Sequence, residues 1–107
     1  MPKPYKLNTW GMISHVILYK TTYANNNTLA VIVEDSDGCP FATLTVNSSF
    51  SGGLPENMQF LDVNNCPWAP AFLQEHGLAK PMGKALRSGF CEYPLYEFDL
   101  TKIPEHI

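Results

Sequence analysis

An α+β domain is predicted for this chain: a twisted antiparallel sheet of four or five strands with one short α-helix packed on it. Three observations predict it. Residues 13–23, 28–34 and 41–47 are rich in β-branched and aromatic side chains. Two turn-forming runs, Asn25-Asn26-Asn27 and Asp35-Ser36-Asp37-Gly38, separate them, which is the pattern of an antiparallel meander. One segment further on, 68–76, carries apolar residues at helical spacing and is followed by Gly77.

The chain has 107 residues, the size of one domain, with room for a core without disulfides or metal. Residues 1–12 hold Pro2, Pro4 and Gly11 and read as an extended lead-in, pinned by Tyr5 or Trp10. In the first strand Val16-Ile17-Leu18-Tyr19 is apolar on both faces, so the strand is expected in the middle of the sheet. In the second, Leu29, Val31 and Val33 share one face. Asp37-Gly38 suits the positive-φ positions of a hairpin turn, and Pro40 belongs at a strand start or on an edge. In the third, Ala42, Leu44 and Val46 point one way, Thr43 and Thr45 the other.

Residues 48–57 form a flexible stretch that contains Phe50 and Leu54, and 58–63 is a short fourth strand. Asn64-Asn65-Cys66-Pro67 reads as a helix entry, with an Asn side chain capping free amides. Trp68, Phe72 and Leu73 form the helix stripe, and Leu78 is placed to fold back over its last turn. Residues 80–89 read as a loop bearing Lys80, Lys84 and Arg87. Residues 90–100 form the last strand, with Tyr96, Phe98 and Leu100 inward, and 101–107 are expected to fray. The predicted core is Ile17, Leu29, Val31, Val33, Ala42, Leu44, Val46, Phe72, Leu73, Tyr96 and Phe98.

Charge and composition narrow the function classes. A formal net charge of −3 with seven Lys and Arg disfavours direct nucleic-acid binding, which calls for a basic excess. No apolar run is long enough to span a bilayer, no secretory leader opens the sequence, and the three cysteines are far apart. A cytoplasmic protein with free thiols and no membrane partner is expected.

No cofactor motif, and no catalytic or metal site, is assigned. Cys39, Cys66, Cys91 and His76 lack the close pairs of a structural zinc site. Cys66 at a helix start is the best thiol candidate, with His76 or His15 as a base, and the acids near Glu92 complete the enzymatic alternative. The aromatic residues Phe50, Trp68, Phe90, Tyr93 and Tyr96 exceed what one small core readily absorbs, and aromatics anchor protein interfaces. The partner-binding candidates are therefore Trp68, Phe90, Tyr93 and Phe50, with Lys80, Lys84 and Arg87 as an anion-facing loop. Self-assembly through an exposed edge at 41–47 or 90–100, giving a homodimer, is a further alternative.

Asp37-Gly38-Cys39-Pro40-Phe41-Ala42-Thr43-Leu44-Thr45-Val46-Asn47 and Ser88-Gly89-Phe90-Cys91-Glu92-Tyr93-Pro94-Leu95-Tyr96 resemble the motifs of a family of small uncharacterised proteins from bacterial mobile elements and phages. The resemblance covers about Tyr19 to Phe98 and brings no catalytic residue. It implies an accessory gene whose product works in the host cytoplasm as a non-enzymatic binding protein. The expected partner is a host protein complex, such as a CRISPR effector or another defence nuclease, inhibited by occupation of a functional surface.

Overall fold

The computed structural model describes residues 3–24, 26–47 and 53–105. It is an α+β fold of antiparallel strands with one short helix. Among the described residues the strands number eight and divide between two sheets. The first holds β1 (Tyr5–Thr9), β2 (Met12–Thr22), β3 (Leu29–Asp35) and β4 (Pro40–Thr43) in that order. The second contains β5 (Thr45–Val46), β6 (Met58–Leu61), β7 (Ala79–Ser88) and β8 (Cys91–Phe98), in the order β5-β6-β8-β7.

The expected lead-in is a paired strand. Tyr5 and Leu7 alternate with Lys6 and Asn8, and β1 turns back on β2 through Trp10 and Gly11. With β1 on one side and β3 on the other, β2 is interior, as its two apolar faces require. Register decides which face is the core. Val16 and Leu18 are buried beside Val33 and its neighbours, so Ile17 falls on the outer face and is half-buried.

Around Asp35 one carboxylate oxygen accepts from the amides of Asp37 (2.9 Å) and Cys39 (3.0 Å), and Gly38 takes the left-handed φ of 88°. The returning strand carries one extra residue, Phe41, opposite the Val33–Glu34 step. The 41–47 segment then changes sheets at Leu44. Its amide donates to the Val31 carbonyl of the first sheet (2.9 Å), and its carbonyl accepts from Asp62, just past β6 of the second (2.8 Å). A strand that crosses between layers at a bend is how two sheets share a corner.

One continuous cluster fills the space between the layers. Leu7, Val16, Leu18, Leu29, Val31 and Val33 from the first sheet meet Leu61, Tyr96 and Phe98 from the second, with Leu44 at the crossing. The helix α1 (Ala69–Glu75) adds Ala69, Phe72 and Leu73. Of the predicted core, Ala42 is partly buried against this cluster and Val46 is half-buried on the far face of its sheet.

The predicted Asn cap is absent: Trp68 occupies the N-cap position with no side-chain hydrogen bond. Asn65 instead folds back on the Asp62 carboxylate (Nδ2 to Oδ2, 2.9 Å), and Pro70 serves the first turn. The helix exit is as predicted. Gly77 has φ 63°, and the buried Leu78 donates its amide to the Leu73 carbonyl at 2.9 Å.

The segment expected to fray is docked as far as Glu105. Leu100–Lys102 forms one 3-10 turn capped by Asp99, Ile103 is buried, and the Lys20 amide donates to the Pro104 carbonyl (2.8 Å). This short parallel bridge covers part of β2 beyond Val16, where the register of β1 ends.

Candidate protein-binding surface

The residues expected to form a basic loop are an edge strand. β7 pairs with β8 from Ala79↔Phe98 to Ser88↔Cys91, leaving the two-residue turn Gly89-Phe90. Gly89 has φ 61°, the left-handed first position that a tight hairpin of this kind requires. Phe90 at the second position is fully exposed.

β6 pairs with β8 only between Leu95 and Glu97, so the half of the hairpin nearer the turn extends past it as a two-stranded arm. On one face of the arm Leu86 lies opposite Tyr93. Cys91 shares that face, and its hydrogen bond with the Tyr93 phenol is the main cause holding the tyrosine pKa above its ordinary value. On the other face Arg87 pairs with Glu92 at 3.2 Å.

The cations of the expected anion-facing loop are thus largely spoken for. Arg87 faces Glu92, and Lys80 faces Glu97 directly across the ladder at 3.4 Å. Lys84 stands exposed in a bulge beside Gly83. Pro81, the bulge and the lysines are also features that discourage strand addition at an open edge. Within the 90–100 segment, Tyr96 and Glu97 have a strand partner on each side and offer no open edge.

Trp68 is a packing residue. Its ring stands edge-on to Phe72 and to Phe41 at 6.0 Å each, and it is half-buried against the core. The bulge that frees Phe41 from the ladder is what turns this ring toward the helix entry. Phe50 lies outside the described residues. Of the predicted anchors, Phe90 and Tyr93 are therefore brought together on one projecting arm.

The enzymatic alternative meets adverse geometry. Burial, with the Asp62 charge second, pushes the Cys66 thiol pKa up, the reverse of what a nucleophile needs. The His76 ring is packed at a tilt against Tyr5 and edge-on to Phe72, with Nε2 2.9 Å from the Lys6 carbonyl. Among the described residues no three Cys, His, Asp or Glu side chains are grouped to hold a metal ion. No described helix is long and apolar enough to cross a membrane.

Of the two residues expected to pin the lead-in, Tyr5 is buried and Trp10 is not: Trp10, Met12 and Ile13 are all exposed at the β1–β2 turn, a hairpin that sequence reasoning missed. The signal was present in the alternation of Tyr5 and Leu7 leading into an X-Gly pair, and the nearby prolines masked it.

Residues 17–107 match the family model described as Domain of unknown function (DUF4313), and the chain belongs to that family. No curated protein and no solved structure matches it.

Proposed function

We propose that this chain is a non-enzymatic protein-binding module that occupies a functional surface of a partner complex through the β7–β8 arm. The observation that carries the reading is Phe90, a fully exposed aromatic at the tip of a two-residue turn. Aromatic anchors dominate interface energetics, and a ring held on a hydrogen-bonded hairpin loses little freedom on binding. Tyr93 and Leu86 supply further apolar area on one face, and the Arg87–Glu92 pair keeps the other soluble.

In its most concrete form the module is an accessory protein of a phage or mobile element that inhibits a host defence complex, in the manner of an anti-CRISPR. The motif resemblance at residues 37–47 and 88–96 supports that context. The test is a cleavage assay on purified CRISPR effectors and restriction nucleases with the wild-type chain and with Phe90→Ala. Stoichiometric inhibition by the wild type, weakened about tenfold or more in the variant, is the expected result. Full cleavage by every nuclease in the presence of the wild type removes the inhibitor reading.

A further inference from the structure

The β1–β2 turn is a second projecting tip, chemically different from the first. Trp10 and Gly11 form its two central positions with φ of 48° and 83°. Left-handed backbone at both positions is the demand of a type I′ turn, which Asn, Asp or Gly meet with least strain. A tryptophan there is held against its backbone preference, and the residue is 85% exposed.

Met12 is 71% and Ile13 56% exposed. Being consecutive in a strand, they point to opposite faces, so the tip is apolar on both sides. A contact made by one face of a hairpin leaves one of them in water. A medium that the tip enters covers both.

The charges on the hairpin itself have one sign. Lys6 stands opposite His15, Lys3 lies over the Tyr5 ring, and residues 3–15 contain no Asp or Glu, in a chain of net charge −3. Off the hairpin, Asp35 on β3 stands opposite Val16, one rung from the Lys6–His15 pair, and Glu75 lies beside His76. Lys6 is four residues back from Trp10, about 13 Å at the rise of a strand. That spacing seats the apolar tip about 5–10 Å into the headgroup boundary while Lys6 stays at the level of the phosphates. Trp is at home in that layer. The base is anchored by buried Leu7 and by the contact of His76 with the Lys6 carbonyl. The family match begins at residue 17, so the whole tip lies outside it.

We propose that the β1–β2 tip is a peripheral docking wedge for an anionic lipid surface, with Trp10, Met12 and Ile13 entering the interface and Lys6 facing the headgroups. It is independent of the β7–β8 arm and requires no membrane-crossing segment.

The test uses the intact chain and vesicles of phosphatidylcholine with phosphatidylserine, against phosphatidylcholine alone. Trp68→Phe leaves Trp10 as the sole indole reporter, and co-sedimentation of the wild-type chain gives a readout free of that substitution. The expected result is co-sedimentation with the anionic vesicles that weakens with salt, a blue shift of Trp10 emission and its quenching by brominated acyl chains. Trp10→Asn keeps the turn chemistry and should lose about tenfold in binding or more. Lys6→Gln should flatten the salt dependence. Absence of co-sedimentation, or equal binding by Trp10→Asn, overturns the proposal. Trp10-dependent binding to a purified protein without vesicle binding also overturns it and assigns the tip to an acidic-rimmed pocket.

Discussion

Gln59 on β6 donates from Nε2 to the Leu29 carbonyl on β3 at 2.9 Å, joining the two sheets through a wholly buried side chain. Its Oε1 accepts from the Phe60 amide at 3.0 Å, so both ends of the amide are used inside the core. Gln59→Leu conserves much of the volume but removes the donor to the Leu29 carbonyl inside the core. The expected loss is about 2–3 kcal/mol of unfolding free energy, read from the urea midpoint. An unchanged midpoint would mean that water already reaches Leu29.

The arm separates stability from binding at adjacent positions. A Cβ at Gly89 meets no atom within 4 Å, so the only penalty for Gly89→Ala is its φ of 61°. About 1 kcal/mol of destabilisation is expected, together with weaker partner binding as the tip loses its geometry. Phe90→Ala should leave stability within about 0.5 kcal/mol of the wild type and still abolish binding. Thermal unfolding of both variants beside the binding assay distinguishes them. A Phe90→Ala chain that unfolds early would mark the ring as structural.

Three groups whose pKa is raised chiefly by burial make the fold sensitive to alkali. Burial, ahead of the Asp62 charge, raises the pKa of Cys66, and its thiol lies 3.7 Å from the Thr43 carbonyl. Burial also raises Tyr23 and Tyr96 above the ordinary phenol value. A raised folded pKa means that the native state holds its proton more tightly than the unfolded chain. The stabilisation is complete below the unfolded pKa, about 8.5 for a thiol and about 10 for a phenol, and is lost as pH rises through the folded value. Unfolding midpoints should hold from neutrality to about pH 8.5 and fall above it. In Cys66→Ala the whole curve is lower, and the decline starts only near the phenol range. At neutral pH a thiol reagent should label exposed Cys39 well before Cys66.

The meander was legible because its signals are local. Leu29, Val31 and Val33 alternate within one strand, and Asp35 to Gly38 carries its own turn chemistry. Gly77 and Leu78 likewise announced the helix exit within two residues. The choice between Ile17 and its neighbours Val16 and Leu18 was not local. Both faces of that strand are apolar, and only pairing with Val33 and the helix beyond decides which is buried. The segment 80–89 read as a loop because Pro81, Gly83 and Gly89 are breakers. In the fold each has a strand-compatible place: Pro81 on an edge strand, Gly83 in a bulge, Gly89 in the turn. Of the candidate site, Phe90 and Tyr93 were named, but their union on one arm depends on that misread strand.

The C-terminal segment holds an edge closed. Ile103 is buried in the core cluster, and the next residue, Pro104, accepts the Lys20 amide at 2.8 Å where β1 no longer covers β2. Burial of the isoleucine is thus what keeps the bridge in place, since a single backbone bond contributes only about 1 kcal/mol. Ile103→Ala should cost about 2–4 kcal/mol globally. It should also act locally, because the bridge detaches before the sheets separate. Amide hydrogen exchange reads both effects in one experiment. Protection at Lys20 should drop further than protection at Val33, which bonds within the sheet on the far side of the strand. Equal losses at the two amides would show that the segment unfolds only with the whole domain.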